Sequence, residues 1–182
     1  MGPIEQQARQ LVNRYFTDYL SQPASLSGRF HKGENMGDHM NASVLAMELL
    51  CEGMGVPKED RDMLNASAYL HDVGKFVIAA KGKVEMKGWK HHEATNWSRF
   101  DEFMNIHPIL SAAVIDRFDK LDRKEEIKRL VAVHMGPWYK RTPKPEGLYE
   151  TLIVLADYLS YRVYDVLKKE KEDDKSGTSE NK

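Results

Sequence analysis

Apolar residues recur at steps of three and four along most of this 182-residue chain, and no stretch alternates apolar with polar residues convincingly at period two. A chain patterned this way buries its apolar stripes by packing helix on helix, so the predicted class is all-α. The first helix runs from Ile4 to about Leu20 on Ala8, Leu11, Val12, Tyr15, Phe16 and Tyr19; Pro23 and the polar residues from Ser25 to Gly28 stop it. A second begins at Asp38 or His39 and runs to Glu52, with Ala42, Leu45, Ala46, Leu49 and Leu50 on its stripe and Gly53 and Gly55 ending it. Pro57 opens a third, which carries Met63, Leu64, Ala66, Ala68, Tyr69 and Leu70 to His71-Asp72, with Gly74 as a tight exit.

Residues 81–103, with Gly82, Gly88, Trp89 and Trp97, read as a loop with at most short helical turns. A fourth helix is expected from His107-Pro108 to before Asp119, since proline suits a first turn. A fifth spans Glu125 to His134, and Gly136, Pro137, Pro143 and Pro145 then impose a loop. The last runs from Leu148 to about Leu167 on Leu152, Leu155, Ala156, Leu159 and Val163. There is no internal repeat. The expected organisation is one domain over 1–170 and a disordered, charged tail over 171–182.

Composition narrows the partners. Hydrophobic residues make up 41% and charged residues 30%, and the net charge is −1, so nothing at whole-chain level asks for nucleic acid or an anionic membrane. No apolar run approaches the roughly 18 residues that span a bilayer, and the N-terminus shows no charged-then-apolar leader pattern. Cys51, the single cysteine, reads as a small buried hydrophobe in a reducing compartment. The expected location is cytoplasmic.

Chemistry concentrates on the seven histidines. Adjacent His71 and Asp72 are by themselves a weak signal, equally a surface pair or a helix cap. Here they close an apolar helix, where a charged pair is costly unless it has partners. Imidazole and carboxylate together suit Fe, Mn, Co, Ni or Zn better than Mg or Ca.

His71-Asp72-Val73-Gly74-Lys75 resembles the signature of the HD superfamily of metal-dependent phosphohydrolases. His39 at the start of a helix and Asp157 inside one, in Leu-Ala-Asp-Tyr-Leu, look like the upstream histidine and the late aspartate of that family. His107 in His-Pro-Ile-Leu-Ser and His134 in Val-Ala-Val-His-Met-Gly-Pro-Trp make six positions in the order of the dinuclear branch. The resemblance covers Asp38 to Arg162 and implies a helical bundle with the site at converging helix ends. It implies two divalent transition-metal ions, one held by His39, His71, Asp72 and Asp157 and the other by His107 and His134, with Asp72 bridging. It further implies hydrolysis of a phosphoester or phosphoanhydride of a small phosphorylated substrate, such as a nucleotide, by a metal-bound hydroxide. Asp72 and Lys75 are the candidate catalytic residues, Lys75 as a phosphate contact or else a solvated lysine. The chain lacks a Gly-Tyr-Pro motif after the core, and His91-His92-Glu93 precedes His107, so cyclic-dinucleotide specificity is not implied.

His31, His91 and His92 read as loop residues. Trp138 and Tyr139 follow His134 in a proline-bounded loop that Lys140, Arg141 and Lys144 make basic. An aromatic there either stacks a base or plugs the core. The competing functions are a di-iron oxygenase with the same ligands, a nuclease, and a non-catalytic metal-binding signalling module. The sequence leaves metal identity, substrate and oligomeric state open.

Overall fold

The computed structural model describes residues 1–24, 33–80, 100–138, 140 and 142–177. Among these are seven α-helices: α1 (Pro3–Phe16), α2 (Met36–Gly53), α3 (Lys58–Leu70), α4 (Val73–Ala80), α5 (Phe100–Asp116), α6 (Lys124–Val133) and α7 (Leu148–Gly177). Among the described residues there is no strand, only an isolated bridge between Pro23 and Asn35. The all-α class therefore holds. No described helix is long and apolar enough to cross a membrane.

Helix ends are fixed by local chemistry. Pro3 opens α1, and Asp62 of α3 accepts hydrogen bonds from the backbone N–H groups of Ile4 and Glu5 at 2.8 and 3.0 Å. That carboxylate satisfies donors the helix cannot satisfy itself and opposes its dipole. Asn35 caps α2 by accepting from Asp38 N at 2.8 Å, so the helix starts three residues ahead of His39 and holds that residue in its first turns.

α2 packs along α7, α1 against α3, and both α4 and α6 against α5. Phe16, Met40, Met47, Leu64, Leu70, Ile115, Phe118, Ile127 and Ile153 are fully buried in one core. Each contributes roughly 1.5–3 kcal/mol by leaving water. Cys51 lies in that core. The inner face of α2 is made by Met36, Met40, Val44 and Met47, and Leu49 is 58% exposed; on α7, Leu155 is 39% exposed. Both leucines were assigned to buried stripes, but apolar residues surround these helices too broadly for spacing alone to choose the face.

Four boundaries differ from the sequence expectation. Gly74 does not end the third helix; the chain turns at His71-Asp72 and α4 follows at once. His107-Pro108 does not begin a helix, because α5 starts at Phe100 and carries Pro108 in its interior. The expected loop over 81–103 thus gives way to helix at its end, while 81–99 lie outside the described residues. Last, α7 continues past Leu167 to Gly177, through part of the stretch expected to be disordered. The Lys- and Glu-rich run there contains strong helix formers and no glycine or proline before Gly177. Residues 178–182 lie outside the described residues.

Candidate metal centre

Five elements deliver the six candidate ligands to one place. His39 comes from α2, His71 and Asp72 from the turn between α3 and α4, His107 from α5, His134 from the end of α6, and Asp157 from α7. Five of the side chains are at most 3% exposed; Asp157 is 23% exposed and marks the open side among the described residues.

The atoms fall into two groups that share Asp72. His39 Nε2 lies 3.1 Å from His71 Nε2, 3.2 Å from Asp72 Oδ2 and 3.4 Å from Asp157 Oδ1. His71 Nε2 lies 3.4 Å from Asp72 Oδ2 and 3.3 Å from Asp157 Oδ1. The other oxygen, Asp72 Oδ1, is 3.0 Å from His107 Nε2 and 3.6 Å from His134 Nε2, and those nitrogens are 3.0 Å apart.

Backbone groups decide which imidazole nitrogens are bare. His71 Nδ1 is 2.7 Å from the Ala68 carbonyl and His134 Nδ1 is 2.7 Å from the Val131 carbonyl. A carbonyl only accepts, so both Nδ1 atoms carry the proton. Ser160 donates its hydroxyl to the Asp157 carbonyl at 2.7 Å, which leaves its oxygen to accept from His39 Nδ1 at 3.2 Å. His39, His71 and His134 in their neutral forms therefore aim Nε2 lone pairs inward. Lone pairs 3.1 Å apart repel unless a cation lies between them.

This donor set fits a divalent transition metal. Ligand atoms about 2.0–2.2 Å from an ion in tetrahedral array are about 3.3–3.6 Å from one another, and the first group spans 3.1–3.4 Å. Buried Asp72 Oδ1 faces the Nε2 atoms of His107 and His134 at 3.0 and 3.6 Å, as befits an oxygen meant to share a cation with them. The charges point the same way. Burial pushes His71 down, but the carboxylates of Asp72 and Asp157 prevail and hold it at about 9; His39 is raised by the same carboxylates. Burial pushes Asp72 up, but Lys75 and then His71 hold it well below the carboxylate range. His134 is the reverse case: burial lowers it to about 4, so its Nε2 is bare at neutral pH.

Lys75 reads from the sequence as a phosphate contact or else a solvated lysine. The structure places its Nζ 2.5 Å from Asp72 Oδ2. Two residues absent from the sequence reading also bear on the site. Glu34, with its side chain wholly buried, has Oε1 3.6 Å from His39 Nδ1. Ser160, also buried, orients His39 as described. The signal for Ser160 was a hydroxyl one turn beyond Asp157 on an apolar helix. Ser160→Ala is expected to leave the fold intact and weaken metal binding about ten- to a hundredfold, the usual cost of losing a ligand's orienting partner. Ser160→Thr should keep most of the affinity. A metal titration in which Ser160→Ala matches the unaltered protein would remove Ser160 from this role.

His31, His91, His92, Trp89, Trp97, Tyr139 and Arg141 lie outside the described residues. Trp138 closes a 3-10 turn, Gly136–Trp138, and is 74% exposed, so it does not plug the core.

Fold and site together define a helical bundle with a buried histidine–aspartate centre of metal-binding chemistry. The profile of the HD domain matches residues 36–162, and the chain belongs to that family, a superfamily of metal-dependent hydrolase type. Comparison with curated proteins and with solved structures found no match.

Proposed function

We propose that this chain is a phosphohydrolase that cleaves a phosphoester or phosphoanhydride bond, of a nucleotide by preference, at a two-metal centre. One observation carries the reading: the two oxygens of Asp72 face separate histidine pairs, Oδ2 toward His39 and His71 and Oδ1 toward His107 and His134. A carboxylate so divided suits two cations held side by side. In this reading His39, His71, Asp72 and Asp157 hold one ion, and His107, His134 and Asp72 the other. Two such ions, when bound, supply a hydroxide nucleophile at neutral pH and a clamp for the phosphoryl oxygens. The mixed imidazole and carboxylate donors favour Fe, Mn, Co, Ni or Zn. We take residues 1–170 as the catalytic domain, since α1 shares the core of the matched region, and place the protein in the cytoplasm.

Lys75 is assigned to the phosphate. Its ammonium sits on the same Asp72 oxygen that faces His39 and His71, where a divalent ion would compete with it. An ammonium so released would have a phosphoryl oxygen as its natural partner. Lys75→Ala is expected to retain metal and to lose about ten- to a hundredfold in kcat, the worth of a charge-assisted hydrogen bond of about 1.5–3 kcal/mol. Loss of metal instead would make Lys75 a support for Asp72.

The experiment for the whole reading is elemental analysis of the purified protein combined with phosphate release from a panel of nucleotides. Two equivalents of transition metal and release from at least one nucleotide are expected. Oxygen uptake without phosphate release would favour oxygenase chemistry, and metal without either reaction a signalling role.

A further inference from the structure

Trp138 is one of the exposed aromatic side chains, with Tyr158 and Tyr161, that the site chemistry leaves unused. Its indole is 74% exposed, yet its place is built. It follows His134 by one short turn, and that turn is shaped around it. Gly136 adopts φ +71°, and a Cβ there would lie 2.7 and 2.9 Å from two ring carbons of Trp138 and 3.1 Å from Val154 Cγ1. The edge of the ring therefore rests on the Gly136 backbone beside Val154, one helical turn before Asp157. Lys144 donates to the Pro137 carbonyl at 2.6 Å and ties the turn from the other side. An indole seated by its edge on the turn that follows His134, near the helix that carries Asp157, keeps most of its surface in water.

We propose that Trp138 is the platform on which the base of the nucleotide substrate stacks, with Lys140 and Lys144 supplying positive charge on the same loop. This rests on the phosphohydrolase reading and specifies its substrate as one with an aromatic base. A base on an aromatic side chain is sequence-tolerant and contributes on the order of five- to a hundredfold in affinity. A solvent-facing tryptophan alone would need no explanation; the glycine that makes room for its ring, and the seating of that ring on the turn after His134 and near Val154 of the helix that carries Asp157, are what point to a ligand.

Adenosine 5′-monophosphate and ribose 5-phosphate differ by the base alone. Their dissociation constants are measured on immobilised, metal-loaded protein at short contact times, for the unaltered chain, Trp138→Ala and Trp138→Phe. The unaltered protein is expected to favour adenosine monophosphate about five- to a hundredfold, Trp138→Ala to erase that preference while leaving ribose 5-phosphate unchanged, and Trp138→Phe to keep most of it. In turnover the Trp138→Ala loss should fall on KM. An unchanged preference in Trp138→Ala overturns the proposal, and so does an equal loss for both ligands, which would make the ring only a structural part of the turn. A preference that depends on Trp138 in a protein that hydrolyses no phosphoester would keep the base platform and discard the hydrolase. Hydrolysis with a preference indifferent to Trp138 would do the opposite.

Discussion

Asp72→Asn is expected to empty both halves of the centre and to leave no measurable turnover. The substitution keeps the shape of the side chain and removes its charge. That charge is balanced by Lys75 at 2.5 Å and by His71 beside it. Each metal position in the proposed arrangement would lose an anionic ligand at once, because Oδ2 serves the His39–His71 pair and Oδ1 the His107–His134 pair. Elsewhere in the site the loss is confined. His107→Ala removes a donor from one group only, and Asp157→Asn from the other. The measurement is metal content after dialysis, taken with kcat on whichever nucleotide the panel selects. Asp72→Asn puts a neutral amide in place of an anion at a side chain 1% exposed, so the fold should survive, and circular dichroism checks that point. A variant that keeps two equivalents of metal, or turns over within tenfold of the unaltered protein, would show that Asp72 does not bridge.

Much of this centre was legible because chemistry-bearing residues stand out against apolar helices. His39, His71, Asp72 and Asp157 sit in or beside such helices, and the structure gathers them with His107 and His134 within hydrogen-bonding range of one another. Spacing alone could not say that Asp72 turns its two oxygens opposite ways, since that depends on where α5 crosses α4. Nor could it find Ser160, whose role follows from two hydrogen bonds made in three dimensions. The misread boundaries share a cause. Gly74 and Pro108 read as punctuation, the commonest meaning of those residues. Both lie inside helices, and Gly74 sits at the contact between α4 and α5, against the His107 carbonyl. Trp138 was ambiguous for a related reason: an aromatic in a proline-bounded loop is patterned alike whether it faces core or water.

Gly74→Ala tests that contact, and it is expected to cost the second metal before the first. In most helix interiors the exchange would add about 1 kcal/mol of stability through propensity. Here the added Cβ would stand 2.5 Å from the His107 carbonyl oxygen, 2.6 Å from Ser111 N and 2.8 Å from Ser111 Oγ. Two of those atoms are backbone of α5 and have no rotamer into which to retreat. The Gly74 N–H also donates to Ser111 Oγ at 2.8 Å, and separating the helices breaks that bond. Overpacking of this kind costs typically about 1–3 kcal/mol, and the lost buried hydrogen bond about 1 kcal/mol more. Set against the propensity gain, the net is a loss of about 1–3 kcal/mol, or a Tm lower by several degrees for a chain of this size. The displacement falls on α5, so it carries His107 away from Asp72 Oδ1, now 3.0 Å distant, while His39 on α2, His71 in the turn before α4 and Asp157 on α7 are not among the atoms nearest the added Cβ. Metal analysis should therefore find the His107–His134 position depleted and the other retained, with turnover falling accordingly. A Gly74→Ala protein with unaltered Tm and two equivalents of metal would show that α4 and α5 have room to part, and that their close approach does not set the geometry of the centre.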